Sequence, residues 1–159
     1  MGVEIERKFL LADDSWRTQA DAGHIIRQGY LCSDPMRLVR VRVMDEQAFI
    51  TVKRSVDGLF RNEWEYAIPL ADAREMLDNL CERPLIEKVR YHVVHAGMLW
   101  EIDEFDGENA GLRVAEIELA SVDQVFDPPA WLGREVTADK RYYNASLVQY
   151  PYQAWRSVE

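Results

Sequence analysis

Glu4, Glu6 and Lys8 stand two residues apart at the start of the chain, in the run Glu4-Ile5-Glu6-Arg7-Lys8. Alternate residues of an extended strand share a face, so two carboxylates and an ammonium group would project together. That chemistry suits a cation held beside an anion. The spacing recurs along the chain. Arg40 and Arg42 oppose Val39, Val41 and Val43, and Thr51 and Lys53 oppose Ile50 and Val52. Glu63 and Glu65 oppose Trp64 and Tyr66, and Lys88 and Arg90 oppose Val89 and Tyr91. Glu101 and Asp103 oppose Trp100 and Ile102, and Glu116 and Glu118 oppose Ala115 and Ile117.

A sheet with one wet face explains any one of these strands. It does not explain the set. Acids pair with acids and bases with bases at same-face neighbours about 6.8 Å apart, which repel unless opposite charge lies among them. The pattern therefore points to a ligand. The named acids, Glu4, Glu6, Glu63, Glu65, Glu101, Asp103, Glu116 and Glu118, outnumber the bases, Lys8, Arg40, Arg42, Lys53, Lys88 and Arg90. An empty interior of this kind repels a polyanion, and two divalent cations reverse its sign. Anion binding should therefore depend on metal, and an all-oxygen carboxylate set favours Mg²⁺ or Mn²⁺.

Positioning these groups requires strands. Two-residue alternation predicts them near 3–11, 25–32, 37–44, 48–54, 60–69, 87–95, 98–107 and 111–120, with turns at Ser33-Asp34-Pro35, Asp57-Gly58 and Asp106-Gly107. Eight strands suit a closed barrel with room for one small ligand. Helices are fewer. Asp13-Asp14-Ser15 can cap one reaching about Ala20. Ala73, Met76, Leu77 and Leu80 form a stripe on a second, over 71–80. Ser121 can cap a third ending near Phe126, before Pro128-Pro129. The tail from Ala145 to Trp155 reads as partly helical, broken at Pro151. The expected fold is α+β: an eight-stranded antiparallel β-barrel with a few flanking helices, in one domain over 1–159. Its apolar faces point outward, with Trp64, Trp100 and Trp131 as outer packing residues. Those faces would be covered by helices and are compatible with a homodimer.

The bulk properties limit the partners. A net charge of −9 over 159 residues argues against nucleic acid and anionic membranes, and no apolar run is long enough to span a bilayer. Cys32 and Cys81 have no metal-type spacing and read as reduced thiols. With charge from the fourth residue and no apolar leader, a cytoplasmic protein is expected.

Glu4-x-Glu6-x-Lys8 resembles the ExExK signature of the CYTH superfamily, the triphosphate tunnel metalloenzymes. It is followed in order by Gln28-Gly29-Tyr30-Leu31, Arg40-Val41-Arg42, Thr51-Val52-Lys53, Glu63-Trp64-Glu65, Glu87-Lys88-Val89-Arg90-Tyr91, Trp100-Glu101-Ile102-Asp103 and Ala115-Glu116-Ile117-Glu118. Trp131-Leu132-Gly133-Arg134-Glu135-Val136-Thr137 and Asp139-Lys140-Arg141-Tyr142 resemble the close of the short bacterial members, so the likeness spans almost the whole chain. The resemblance implies a tunnel that binds a linear triphosphate. Lys8, Arg40, Arg42, Lys53, Lys88 and Arg90 would contact phosphate, with Lys140 near a mouth. Glu4, Glu6, Glu116 and Glu118 would be the main metal carboxylates, and Glu63, Glu65 and Asp103 would complete or support the shell. Glu4, Glu6 and Lys88 would act in catalysis, Lys88 as a phosphate clamp before any role as a proton shuttle.

The short chain and its Glu-Val-Thr segment look more like the inorganic tripolyphosphatase branch than the class IV adenylate cyclases. Hydrolysis of tripolyphosphate is the first expectation. A nucleoside or thiamine triphosphatase, a cyclase making cyclic AMP, and a binding module without turnover are the alternatives. Tyr30 reads as a packing aromatic that, pointing inward, would narrow one end of the tunnel. His92 and His95 fall on opposite faces of one strand and cannot chelate together; with His24 they read as structural or surface residues.

Overall fold

Alternating apolar and charged residues give the chain its strands, and short polar turns join them. The computed structural model describes residues 2–56 and 60–156. In chain order its elements are β1 (Gly2–Leu11), β2 (His24–Cys32), β3 (Leu38–Met44), β4 (Gln47–Ser55), β5 (Phe60–Ala67), α1 (Leu70–Asn79), β6 (Ile86–His95), β7 (Met98–Phe105), β8 (Arg113–Glu118), β9 (Leu132–Glu135), α2 (Asn144–Gln149) and α3 (Tyr152–Trp155). Short 3-10 turns occupy Ser15–Gln19, Gly107–Asn109 and Lys140–Tyr142. The expected Asp57-Gly58 turn lies outside the described residues.

The strands are hydrogen-bonded in the order β5-β4-β3-β2-β6-β7-β8-β1, and β1 pairs back onto β5, closing an eight-stranded antiparallel barrel. β1 changes partner along its length. Gly2–Ile5 pair with β5, whereas Phe9 and Leu11 pair with the short β9. The far half of β1 thus gains a strand where β5 has ended, which leaves no long unpaired edge there. β9 was not anticipated as a strand; at four residues it is too short for alternation to reveal.

The packing is inverted relative to an ordinary small barrel, because the apolar faces point out and are covered by the chain's own connections. Phe9, Trp100, Ile102 and Ile117 are buried under Trp16 and Trp131, with Trp100 and Trp131 edge to face at 5.5 Å. Val41 and Ala48 are buried under Ala73 and Leu77 of α1. Tyr142, Leu147 and Trp155 of the C-terminal segment pack with Tyr30, Ile86 and Phe105. Trp64 is only half-buried.

Two expectations are corrected. Ser121 to Phe126 is not a helix. Gln124 turns back instead, its N–H donating to Ser121 O and its Oε1 accepting from Ala120 N. Six residues cannot carry the cost of helix nucleation unaided, and Phe126 is drawn instead against Phe9 and Trp100. Leu80, assigned to the apolar stripe of α1, is 66% exposed, while Leu77 is fully buried. The helix ends at Asn79, so Leu80 has left its face. Leu77→Ala is accordingly expected to lower unfolding free energy by about 2–5 kcal/mol, and Leu80→Ala to change it by no more than about 0.5 kcal/mol, as read by urea denaturation.

Candidate active site

The inward faces enclose a cavity of about 610 Å³, within the range that holds a small ligand. Glu4, Glu6, Lys8, Arg40, Arg42, Lys53, Glu63, Glu65, Lys88, Arg90, Glu116, Glu118 and Lys140 all line it. Their charges are sorted by side. Taken round the barrel, β5, β1, β8 and β7 are consecutive and carry all eight of the acids named from the sequence. The other four strands carry Arg40, Arg42, Lys53, Lys88 and Arg90. An acidic arc therefore faces a basic arc, with Lys8 and Arg61 as cations on the acidic side.

The basic arc rests on Asp103. Arg90 donates to it through Nε at 2.8 Å and Nη2 at 2.9 Å, and Lys88 Nζ donates at 2.7 Å. Asp103 is 1% exposed and does not line the cavity, and both its oxygens are engaged. The register that pairs Arg90 with Asp103 puts the carboxylate behind the two bases. Burial opposes its ionisation, but the two cations hold it well below the usual carboxylate range. Lys88 also donates to Asn144 Oδ1 at 2.9 Å, Gln28 donates to the same oxygen at 3.3 Å, and Arg42 Nε donates to Gln28 Oε1 at 2.7 Å. Burial, helped by Arg90 and Arg42 and opposed by Asp103, pushes Lys88 down to about 7. Burial together with Arg40 and Arg90 likewise depresses Arg42, although a guanidinium stays charged at neutral pH. Arg40 Nε is buried with no partner among the described residues. Crowded cations and an orphaned donor are what an anion would relieve.

The acidic arc has the converse problem. Burial, then the charges of Glu116 and Glu4, push Glu6 up to about 8. Glu63 is pushed up to about 7, first by its hydrogen bond to Glu4 and then by burial. Glu4 is lowered despite its burial, because Glu63, Lys53 and Arg61 favour its charged form. Burial also opposes the ionisation of Glu116, but Lys8, at 3.5 Å, together with Arg90 and Lys88 outweighs it and brings the group to about 2. Glu118 is raised by burial and by Glu4 and Glu101. Cations are what this arc lacks.

Several lining residues were not singled out from the sequence. Arg61, 4.0 Å from Glu4, shares a face with Glu63, so alternation could have found it. Tyr143, Asn144 and Gln149 arrive on the C-terminal segment, where strand periodicity gives no signal. Tyr30 packs against the C-terminal helices, as expected of a structural aromatic, and also lines the cavity. Lys140 is exposed, on the 3-10 turn at the rim.

Residues 2–150 match the CYTH domain. The chain belongs to the CYTH domain family. This CYTH chain is 48% identical over 156 residues to the inorganic triphosphatase of Acetivibrio thermocellus, covering 98% of the chain and 99% of that protein. It is 42% identical over 153 residues to the inorganic triphosphatase of Nitrosomonas europaea, covering 91% and 96%. Its fold superposes on the crystal structure of an inorganic triphosphatase with a TM-score of 0.65 at 35% identity, covering 93% of this chain and 95% of the other. The fold is thus shared with a solved relative.

Asp103→Ala leaves two buried cations without their counterion. It is expected to lower unfolding free energy by about 3–5 kcal/mol in a denaturant titration, while the protein's affinity for Mg²⁺ stays within about threefold. A larger loss of Mg²⁺ binding would mark Asp103 as a metal ligand after all.

Proposed function

We propose that this protein hydrolyses inorganic tripolyphosphate to pyrophosphate and phosphate with the help of a divalent cation, Mg²⁺ or Mn²⁺. The observation that carries this reading is the division of one cavity into a basic and an acidic arc. A linear triphosphate lies with its oxygens on Arg40, Arg42, Lys88 and Arg90, and Lys8, Lys53 and Lys140 extend the contact. Arg offers paired donors and Lys a point charge. Opposite them Glu4, Glu6, Glu116 and Glu118 would hold the cation, with Glu63 and Glu65 in support. Among the described residues no three tunnel carboxylates bring oxygens within 4.8 Å of one another.

When bound, the cation neutralises phosphate charge and acidifies a water. The chain supplies the rest. Arg40 and Arg42 fix the phosphate chain in line for attack and offset the charge that develops on its oxygens. Glu4 and Glu6 orient the attacking water. Lys88, poised near neutrality by its burial, stabilises the leaving pyrophosphate and can give it a proton as water attacks the terminal phosphorus. Asp103 acts behind the bases and touches no phosphate. Exposed apolar residues on the outward faces, among them Ile25, Val94 and Leu99, are compatible with a homodimer. Two free thiols and a dissolved small-anion substrate fit a cytoplasmic enzyme. Among the described residues no helix is long and apolar enough to cross a membrane.

The test is phosphate release from tripolyphosphate, ATP and thiamine triphosphate with Mg²⁺ or Mn²⁺. Fastest turnover of tripolyphosphate is expected. Tight binding without release would indicate a binding module, and cyclic AMP from ATP a cyclase; either result overturns the proposal. Arg42→Ala and Glu6→Gln are each expected to cost at least about 100-fold in kcat/KM.

Metal binding should also displace a proton from Glu6. Its pKa is raised to about 8 in the metal-free protein, so below that pH the carboxyl is protonated and competes with the cation. Mg²⁺ affinity is then expected to rise by up to about tenfold per pH unit and to level off above it. Calorimetry in buffers of different ionisation enthalpy would count the proton, which should be absent in Glu6→Gln.

A further inference from the structure

We propose a second metal site, for a first-row transition ion such as Zn²⁺, formed by Asp21, His24 and His92 beside the tunnel wall. Oδ2 of Asp21 lies 3.1 Å from His24 Nε2 and 3.1 Å from His92 Nδ1. Among the described residues these three are the one group of metal-type side chains whose ligand atoms all fall within 4.8 Å of one another. A tetrahedral ion with bonds of about 2.1 Å wants donors roughly 3.4 Å apart, so small side-chain adjustments suffice.

Backbone architecture creates the convergence. His24 begins β2 and His92 lies on the neighbouring β6, with their rings 5.0 Å apart. Asp21 is fastened between them. Its Oδ1 accepts from the backbone N–H groups of Gly23 and His92, and its own N–H donates to His92 O. Gly23 has a φ of +86°, and a Cβ there would come within 2.8 Å of Tyr91 and Val89. Only glycine lets this turn lie against β6 and aim Asp21 Oδ2 at both imidazoles.

The outer partners say what the cluster lacks. His24 Nδ1 lies 2.7 Å from Asp45 Oδ2, and His92 Nε2 lies 3.5 Å from Glu101 Oε2. Each imidazole is thus placed between two carboxylates. A neutral ring donates only one N–H; if that goes to the outer carboxylate, the inner nitrogen directs its lone pair at Asp21. A cation bound there resolves both conflicts at once. The outer carboxylates then fix tautomer and ring orientation, as they do around histidine ligands elsewhere. Two nitrogens and one oxygen favour a transition ion over Mg²⁺, which separates this site chemically from the tunnel carboxylates. The two imidazoles are about one-third exposed, at 34% and 29%, leaving room for a water as fourth ligand. A bound ion would pin the Asp21–Gly23 turn to β6. It would also stand one residue from the tunnel, because Glu101 accepts a hydrogen bond from Arg90 as well.

The experiment uses the full metal-free chain with Mg²⁺ in excess to occupy the tunnel, titrated with Zn²⁺ and separately with Co²⁺ as a spectroscopic probe. One tightly bound Zn²⁺ per chain is expected, together with visible Co²⁺ bands of low-coordinate nitrogen and oxygen ligation. His24→Gln and His92→Gln should each weaken Zn²⁺ by at least about 100-fold, and Asp45→Asn by about 10–100-fold. Glu6→Gln should leave this binding unchanged. Equal Zn²⁺ uptake by the wild type and the His24→Gln/His92→Gln double variant would overturn the proposal. So would a wild-type Co²⁺ spectrum of all-oxygen octahedral ligation, a result that does not depend on any variant folding.

Discussion

Asp103 is the counterion on which the interior is built. Ionised groups removed from water are costly unless paired and hydrogen-bonded, and the basic arc places Lys88 and Arg90 deep in the barrel. One carboxylate with 1% exposure satisfies both, at 2.7 to 2.9 Å. From it a chain of polar contacts runs through Lys88 to Asn144, then to Gln28 and Arg42. The tunnel cations are thereby held in place without a ligand, which is the condition for electrostatic stabilisation without reorganisation.

A charged interior also dictates the exterior. With the inward side chains mostly charged, the outward faces must supply the hydrophobic stabilisation, and connections must cover them. Trp16, Trp131 and Phe126 close one side, α1 a second, and the C-terminal helices a third. The C-terminal cover serves twice, since the same segment presents Tyr143, Asn144 and Lys140 to the cavity. Packing and chemistry are therefore coupled: loosening that segment would disturb both.

Most of the barrel was legible because alternation is a local property. The strands around Glu4, Arg40, Lys53, Glu63, Lys88, Glu101 and Glu116 all form where the two-residue period places them. Misreadings arose where local pattern and tertiary demand diverge. Ser121 has a capping side chain, yet Phe126 belongs to an aromatic cluster. Leu80 continues a helical stripe, but the helix has ended. β9 exists because β1 needs a partner beyond Ile5. His24 and His92 read as unrelated residues 68 positions apart, and strand pairing brings their rings together.

By itself the sequence determined which side chains turn inward, that the interior would be charged, and that the chain resembles the CYTH superfamily. Each follows from residue identity and a two-residue period. The expected acidic balance does not hold, because Asp103 leaves the lining and Arg61, Lys140 and Arg141 join it, so that cations outnumber carboxylates there. Only the tertiary structure decided which charges are neighbours. The acids are scattered from Glu4 to Glu118, and strand order alone gathers them onto one arc facing the bases. It also withdrew Asp103 from the cavity to serve as counterion, although its place in the alternation is the same as that of the carboxylates that line the cavity. The reason is that period specifies a face, whereas the partner across the ladder is set by long-range pairing, and electrostatic roles depend on the partner.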